Sequence, residues 1–329
     1  MMATPSASSW TLAMNRFGID RPVQIAIGCI IALLAAGAVY SPAFLSQDYL
    51  LQQLQIATFL GVIASGAMMV VLLGHIDLSI PWVVTLGAMM ATGLSGWIGP
   101  LGVVLAIPFG ILCGALVGVF NGIGVAYLRL PAMIFTLGTN AVVQGLLVLL
   151  TGGSAPQDKA TDAMRLIAVG RSFAGIPNAV LVWLVVGGGM IFLLRRTRFG
   201  RAVYAIGNME AAAYLSGIRT GRIIVACFAF SGAMAALSGI LLAGYSTKAY
   251  QAMGDSFLMP AMAAVVLGGT SILGGRGNYL GTVCGVILIT LLQSILSIMQ
   301  MPDAGRQVIY GAVIIAMLLV YGRERSTRV

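Results

Sequence analysis

The stretch LSIPWVVTLGAMMATGLSGWIGPLGVVLAIPFGILCGALVGVFNGIGVAYL, residues 78–128, carries no charged side chain. A helix of roughly 18 to 20 apolar residues crosses a bilayer, so this run is too long for one crossing. Gly99-Pro100 breaks it, just after Trp97, a residue type that favours membrane interfaces. One segment therefore predicts two spans joined by a tight turn.

Uncharged runs recur on both sides of it, at 22–47, 49–76, 130–157, 172–194, 223–247, 256–275, 277–302 and 307–322. Only 8% of the 329 residues are charged, against roughly 25% in an ordinary soluble domain, and the mean hydropathy is +1.00. These values exclude a water-soluble fold. The expected fold is an all-α integral membrane protein of about ten transmembrane helices. They are placed near 23–40, 52–74, 79–98, 101–127, 132–151, 177–194, 222–244, 257–273, 279–299 and 306–321. Ten spans divide into five and five, and an odd unit repeated in tandem must reverse its orientation, so two inverted five-helix repeats are expected. The breaks LLGHIDLSIP at 72–81 and VLGGTSILGGRG at 266–277 are the pair of segments that look alike in the two halves.

An even number of spans puts both termini on one side, and the basic residues choose that side. With the N-terminus inside, thirteen of the eighteen Lys and Arg fall on inner segments, and the remaining five (Lys159, Arg165, Arg171, Lys248 and Arg306) fall outside. Both termini are therefore expected in the cytoplasm. The chain divides into a cytoplasmic segment 1–21, a membrane domain 22–322 with a cytoplasmic loop at 195–222, and a cytoplasmic tail 323–329. The net charge of +9 is explained by this orientation, and no nucleic-acid partner is expected. No small-residue cleavage site follows the first apolar run, so that span is expected to remain.

Cys29, Cys113, Cys227 and Cys284 lie singly inside predicted spans and suggest neither a disulfide nor a metal site. Gly110, Gly114, Gly118 and Gly122 recur every fourth residue and so share a helix face, which lets another backbone approach closely; Gly281 and Gly285 repeat the device. Lys159 and Lys248 are the only lysines and neither stands in a phosphate-binding loop, so the chain has no ATPase motif of that kind. A single His and one deep acid leave too little for acid–base catalysis, and no enzymatic activity is expected.

Asp77 stands between two apolar spans. An acid at membrane depth is costly unless it is paired or faces water, so Asp77 is read either as a cap for the helix starting near Ser79, with Pro81 in its first turn, or as part of a polar pathway. Asn121, Thr136, Asn140 and Gln144 are further polar residues within spans. Interhelical hydrogen bonds account for any one of them, while the set together suits a wet path for a neutral hydroxylated solute. Ser79 and Phe135 join these as candidate pathway residues.

The loop RRTRFGRAVYAIGNMEAAAYLSGIRTGR, residues 195–222, holds a short helix signal. Asn208 is placed as N-cap, Glu210 in the first turn, and Gly217 just past the end. A helix of about nine residues needs a surface to pack on. Its small side chains suit a protein groove better than the lipid surface, where its arginines would otherwise meet anionic lipid.

Four motifs here resemble the permease subunit of the ribose-type sugar ABC importers. YAIGNMEAAAYLSGI at 204–218 is similar to the family's YAIGGNEAAARLSGI, and GHIDLSIP at 74–81 to GGIDLSVG. LPAMIFTLGT at 130–139, followed by LLTGG at 149–153, is similar to PPFIVTLGT, and AAVVLGGTSILGGRGNYLGT at 263–282 matches the family's pattern at nearly every position. The departures are local: Asn208-Met209 replaces Gly-Asn, Tyr214 replaces Arg, and His75 and Pro81 replace glycines.

The resemblance implies a permease that passes a monosaccharide or related polyol across the bacterial inner membrane. It implies that the loop helix is a coupling helix, with Gly207, Asn208, Glu210, Ala211, Ala212, Leu215, Ser216 and Gly217 meeting a cytoplasmic ATPase. It also implies a second permease copy or paralogue and a periplasmic sugar-binding protein. ATP and Mg would bind the ATPase, and this chain would carry no cofactor. The rival reading is an ATPase-independent secondary transporter or facilitator of a small neutral solute.

Overall fold

The structure is a computed structural model that describes residues 21–40, 42–153, 159–302, 304–312 and 315. It is all-α and multi-pass. In chain order the helices are α1 (Arg21–Tyr40), α2 (Gln47–Leu72), α3 (Ile80–Ile98), α4 (Pro100–Ala126), α5 (Ala132–Thr151), α6 (Asp162–Val169), α7 (Asn178–Arg196), α8 (Arg198–Asn208), α9 (Glu210–Leu215), α10 (Thr220–Ser246), α11 (Leu258–Leu267) and α12 (Tyr279–Ile298). Six of them (α2, α4, α5, α7, α10 and α12) are long and apolar enough to cross a membrane. The expected terminal segments 1–21 and 323–329 lie almost wholly outside the described residues, as does half of the tenth span; residues 304–312 are helical where it begins.

Packing follows from where glycine removes side chains. The central helix α10 packs against α4, α3 and α2. The Gly110–Gly122 stripe of α4 faces α3 and α10: a Cβ on Gly114 would strike the Gly232 carbonyl, one on Gly118 the Phe228 carbonyl, and one on Gly110 would lie 2.7 Å from the Gly87 carbonyl. Gly281 and Gly285 bring α12 onto the Gly268 and Ala264 carbonyls in the same way. Nearly all of α2 from Ala57 to Leu72 is buried. By contrast α4 turns Leu101, Val104, Leu112, Leu116 and Phe120 outward, an apolar exterior that suits lipid rather than water.

Both breaks begin with the same cap. At the end of α2 the Gly74 N–H donates to the Val71 carbonyl and the His75 N–H to the Val70 carbonyl, with Gly74 at φ 81°. At the end of α11 the Gly269 N–H donates to Val266 and the Thr270 N–H to Val265, with Gly269 at φ 86°. This pattern of 5→2 and 6→1 bonds is a Schellman motif, which needs a left-handed residue that glycine adopts without strain.

Two expectations need correction. The eighth span, expected over 257–273, is α-helical only at Leu258–Leu267, after a 3-10 turn at Asp255–Phe257, and ten α-helical residues rise only ~15 Å against a hydrocarbon core of ~30 Å. Its apolar composition continues, but the Gly269 cap stops the helix and residues 268–278 run as irregular chain. The loop at 195–222 contains two helices where one was expected. Thr197 caps α8 by accepting the Gly200 N–H at 3.1 Å, and α8 buries Gly200, Val203 and Ile206. At the opposite end of the molecule, α6 is an unforeseen short helix, capped by Thr161 and held to α2 by Gln55 Nε2 donating to the Ala168 carbonyl at 2.7 Å.

A bulky residue at Gly114 should force α4 from α10, since overpacking costs about 1–3 kcal/mol or more. Gly114→Val is expected to lower the thermal unfolding midpoint of the detergent-purified protein. Gly188→Ala, on an open face of α7, should leave it unchanged or raise it.

Candidate functional site

The break between α2 and α3 turns inward to a buried polar cluster. Asp77 is only 3% exposed, Ser79 1% and Asn121 0%. Asp77 Oδ1 accepts the Ser79 N–H at 3.0 Å and the Ser79 hydroxyl at 2.6 Å, while Oδ2 accepts the Ser231 hydroxyl at 3.0 Å. Asn121 Nδ2 donates to Ser79 Oγ at 2.8 Å. Ser231 lies eleven residues beyond Thr220, the first residue of α10, or ~16 Å along the helix, so the cluster sits well inside the layer of spans.

Asp77 therefore closes a hydrogen-bonded turn on Ser79 just ahead of α3 without bonding an N–H of the helix itself, and Pro81 occupies the first turn of that helix. Its carboxyl group is buried, and three donors compensate it. The side chain of Ser79, formally the N-cap residue, makes no capping bond of its own and instead donates to Asp77. Orphan N–H groups at a helix start must find acceptors. The rest come from α5, where Thr136 Oγ1 accepts the Leu78 N–H at 2.9 Å and Asn140 Oδ1 the Trp82 N–H at 3.4 Å.

The structure thus brings Asp77, Ser79 and Asn121 together and sets Thr136 and Asn140 beside them on the same helix start. Phe135 does not join them; its ring stacks on Phe120 at 5.2 Å and covers Gly124. Gln144 stands apart, exposed on the outer face of α5 between Gly138 and Gly145, at which an added Cβ would meet nothing within 4 Å. Ser231, the link from Asp77 to α10, was not picked out from the sequence; a serine in an uncharged span gives no signal of its partner.

The second site is the loop helix pair. Asn208 ends α8, its Nδ2 donating to the Tyr204 carbonyl at 3.1 Å, so the expected N-cap role is corrected. Met209 is the residue before α9, extended at φ −162°, and makes no side-chain capping bond. Asn208 is already held inside the preceding helix by that local bond, which leaves its side chain unable to cap the next. The far end is as expected: Gly217, at φ 82°, donates to Tyr214 and Ile218 donates to Ala213, another Schellman cap.

Of the coupling candidates, Asn208, Ala211, Ala212, Leu215, Ser216 and Gly217 are exposed. Glu210 is half-buried and pairs with Arg129 of the α4–α5 turn at 2.8 Å. Gly207 turns inward, where a Cβ would strike the Leu72 carbonyl. The sequence reading missed three neighbours: Met209 and Tyr214 are 64% and 66% exposed beside Leu215 at 85%, and Tyr204 donates its hydroxyl to the Gly277 carbonyl at 2.8 Å. His75, between this helix and Phe228, has its pKa lowered by burial, an effect that the nearby Glu210 carboxylate opposes.

The comparisons with known proteins identify this multi-pass bundle as the permease subunit of an ATP-binding-cassette importer. Residues 49–318 match the family model described as branched-chain amino acid transport system / permease component, and the chain belongs to that family. It is 33% identical to the ribose import permease protein RbsC of Haemophilus influenzae over 309 residues, 93% of this chain and 94% of that one. It is 34% identical to the autoinducer 2 import system permease protein LsrC of Yersinia enterocolitica over 305 residues, 91% of this chain and 82% of the relative. The LsrC of Yersinia pseudotuberculosis serotype O:3 is 35% identical over 274 residues, 82% of this chain and 76% of the relative. No solved structure matches.

If Asp77 acts through hydrogen bonds to the start of α3, the amide that keeps Oδ1 should suffice. Asp77→Asn is expected to retain most of the thermal stability, whereas Asp77→Ala strands buried donors at about 1–3 kcal/mol each. Equal losses in the two variants would show that the charge itself matters.

Proposed function

We propose that this chain passes a monosaccharide or related polyol inward across a bacterial inner membrane, driven by a separate cytoplasmic ATPase and supplied by a periplasmic binding protein. The observation that carries this reading is α9. Met209, just before α9, and Tyr214 and Leu215 within it give an exposed apolar surface around a helix too short to stand alone. Such a surface suits insertion into a groove of another protein. Arg195, Arg196, Arg198, Arg201, Arg219 and Arg222 flank it, and this density of basic residues favours the cytoplasmic side.

ATP and Mg would be held by the ATPase, with no cofactor on this chain. The solute class follows from pathway candidates that, Asp77 apart, are uncharged, and from relatives whose names specify import of ribose and autoinducer 2. Exposure of Gln144 supports a second copy or paralogue: an amide in mid-span is costly against lipid but acceptable against a partner or a wet path. Beside it Gly138, Ala141 and Gly145 are small and exposed, which permits close approach along that line of α5.

Proteoliposomes containing the permease, its ATPase and its binding protein are expected to take up ribose only when ATP is supplied on the α9 side. Leu215→Asp should weaken retention of the ATPase by ~10-fold or more, because burying a leucine is worth about 1.5–3 kcal/mol. Concentrative uptake by the permease alone would instead support the ATPase-independent reading.

A further inference from the structure

The loop helices meet both breaks through bare backbone. A Cβ on Gly207 would strike the Leu72 carbonyl and crowd the Gly275 nitrogen. One on Gly274 would lie 2.7 Å from the Gly74 nitrogen and 2.9 Å from the Gly207 carbonyl. In this space the Gly275 N–H donates to the Leu72 carbonyl at 2.9 Å, so the last carbonyl of α2 is satisfied by the second break. Two side chains from the loop reinforce the joint. The Tyr204 hydroxyl donates to the Gly277 carbonyl at 2.8 Å, and Arg195 Nη2 donates to Asn278 Oδ1 at 3.2 Å.

These contacts hold α8, and α9 follows it through Met209; the attachments of α9 itself are weaker. Its ion pair with Arg129 is exposed, and such pairs hold little in water. Its link to α10 passes through Gly217, left-handed and with open space around it, which is a natural pivot.

We infer that Gly207 and Tyr204 are positioning residues that weld α8 and α9 to both membrane breaks, so that displacing α9 carries residues 73–79 and 268–278 with it as one body. The inference rests on the reading of α9 as driven by an ATPase. From the first break the motion reaches α5 through Thr136, α10 through Ser231 and α4 through Asn121. The polar cluster is then the output end of the device.

The test uses the complete permease–ATPase complex in nanodiscs, with the native cysteines replaced and spin labels added in pairs. One pair, at Ser216 and Lys248, reports the lever against the far end of the bundle; the other, at Leu273 and Lys248, reports the second break. Trapping with ATP and vanadate is expected to shift both distances by about 2 Å or more. In Gly207→Val the lever distance should still shift while the break distance stays at its resting value. If both distances shift in Gly207→Val as in the parent, the weld is refuted. If neither shifts in the parent, the ATPase-driven reading itself fails. Tyr204→Phe adds no bulk and decides the matter should the valine variant not fold: the resting lever–break geometry should hold less firmly, and the trapped break distance should split into two populations. A single, parental population in Tyr204→Phe would overturn its assignment.

Discussion

The hydrogen bond from the Gly275 N–H to the Leu72 carbonyl is the contact on which the rest of the structure depends. A helix end leaves its last carbonyls without partners, and in a membrane protein water does not reach all of them. Gly74 satisfies two of those at the end of α2 through its Schellman cap, and Gly275 supplies a third from the other half of the chain. The approach is possible only because Gly207, Gly274 and Gly275 put no side chain in the way. Three segments with no sequence continuity are thereby held by their backbones at one point.

Magnitudes separate this joint from its neighbours. The exposed Arg129–Glu210 pair is worth at most about 1 kcal/mol, and screening by salt weakens it further. A buried backbone bond contributes about as much when made, but stranding its groups costs about 1–3 kcal/mol, and several such bonds act together here. The same asymmetry governs the Asp77 cluster. Its hydrogen bonds matter less for what they add than for what would follow if the start of α3 were left bare inside the membrane.

Much of this was legible in the sequence. Spans read from uncharged runs agree with α1 to α5, α7, α10 and α12 to within several residues. The glycine stripe on α4 faces a close neighbour as its spacing implied, and Gly217 ends the loop helix as expected. The eighth span misled because composition continued past the point where Gly269 stops the helix: hydropathy registers apolar length, whereas a cap acts at a single residue. Asn208 misled because one side chain suits both the end of a helix and the start of the next. The resemblance between the two breaks was visible, but their contact was not. It depends on how helices fold back on one another, and neither periodicity nor motif spacing contains that information. Ser231 escaped for the same reason.

Hydrogen–deuterium exchange at the Gly275 amide in the isolated permease tests the central contact most directly. The account predicts protection comparable to that of the buried half of α2, because the amide opens only when the three segments part. Exchange as fast as that of the exposed chain around Gly217 would contradict it.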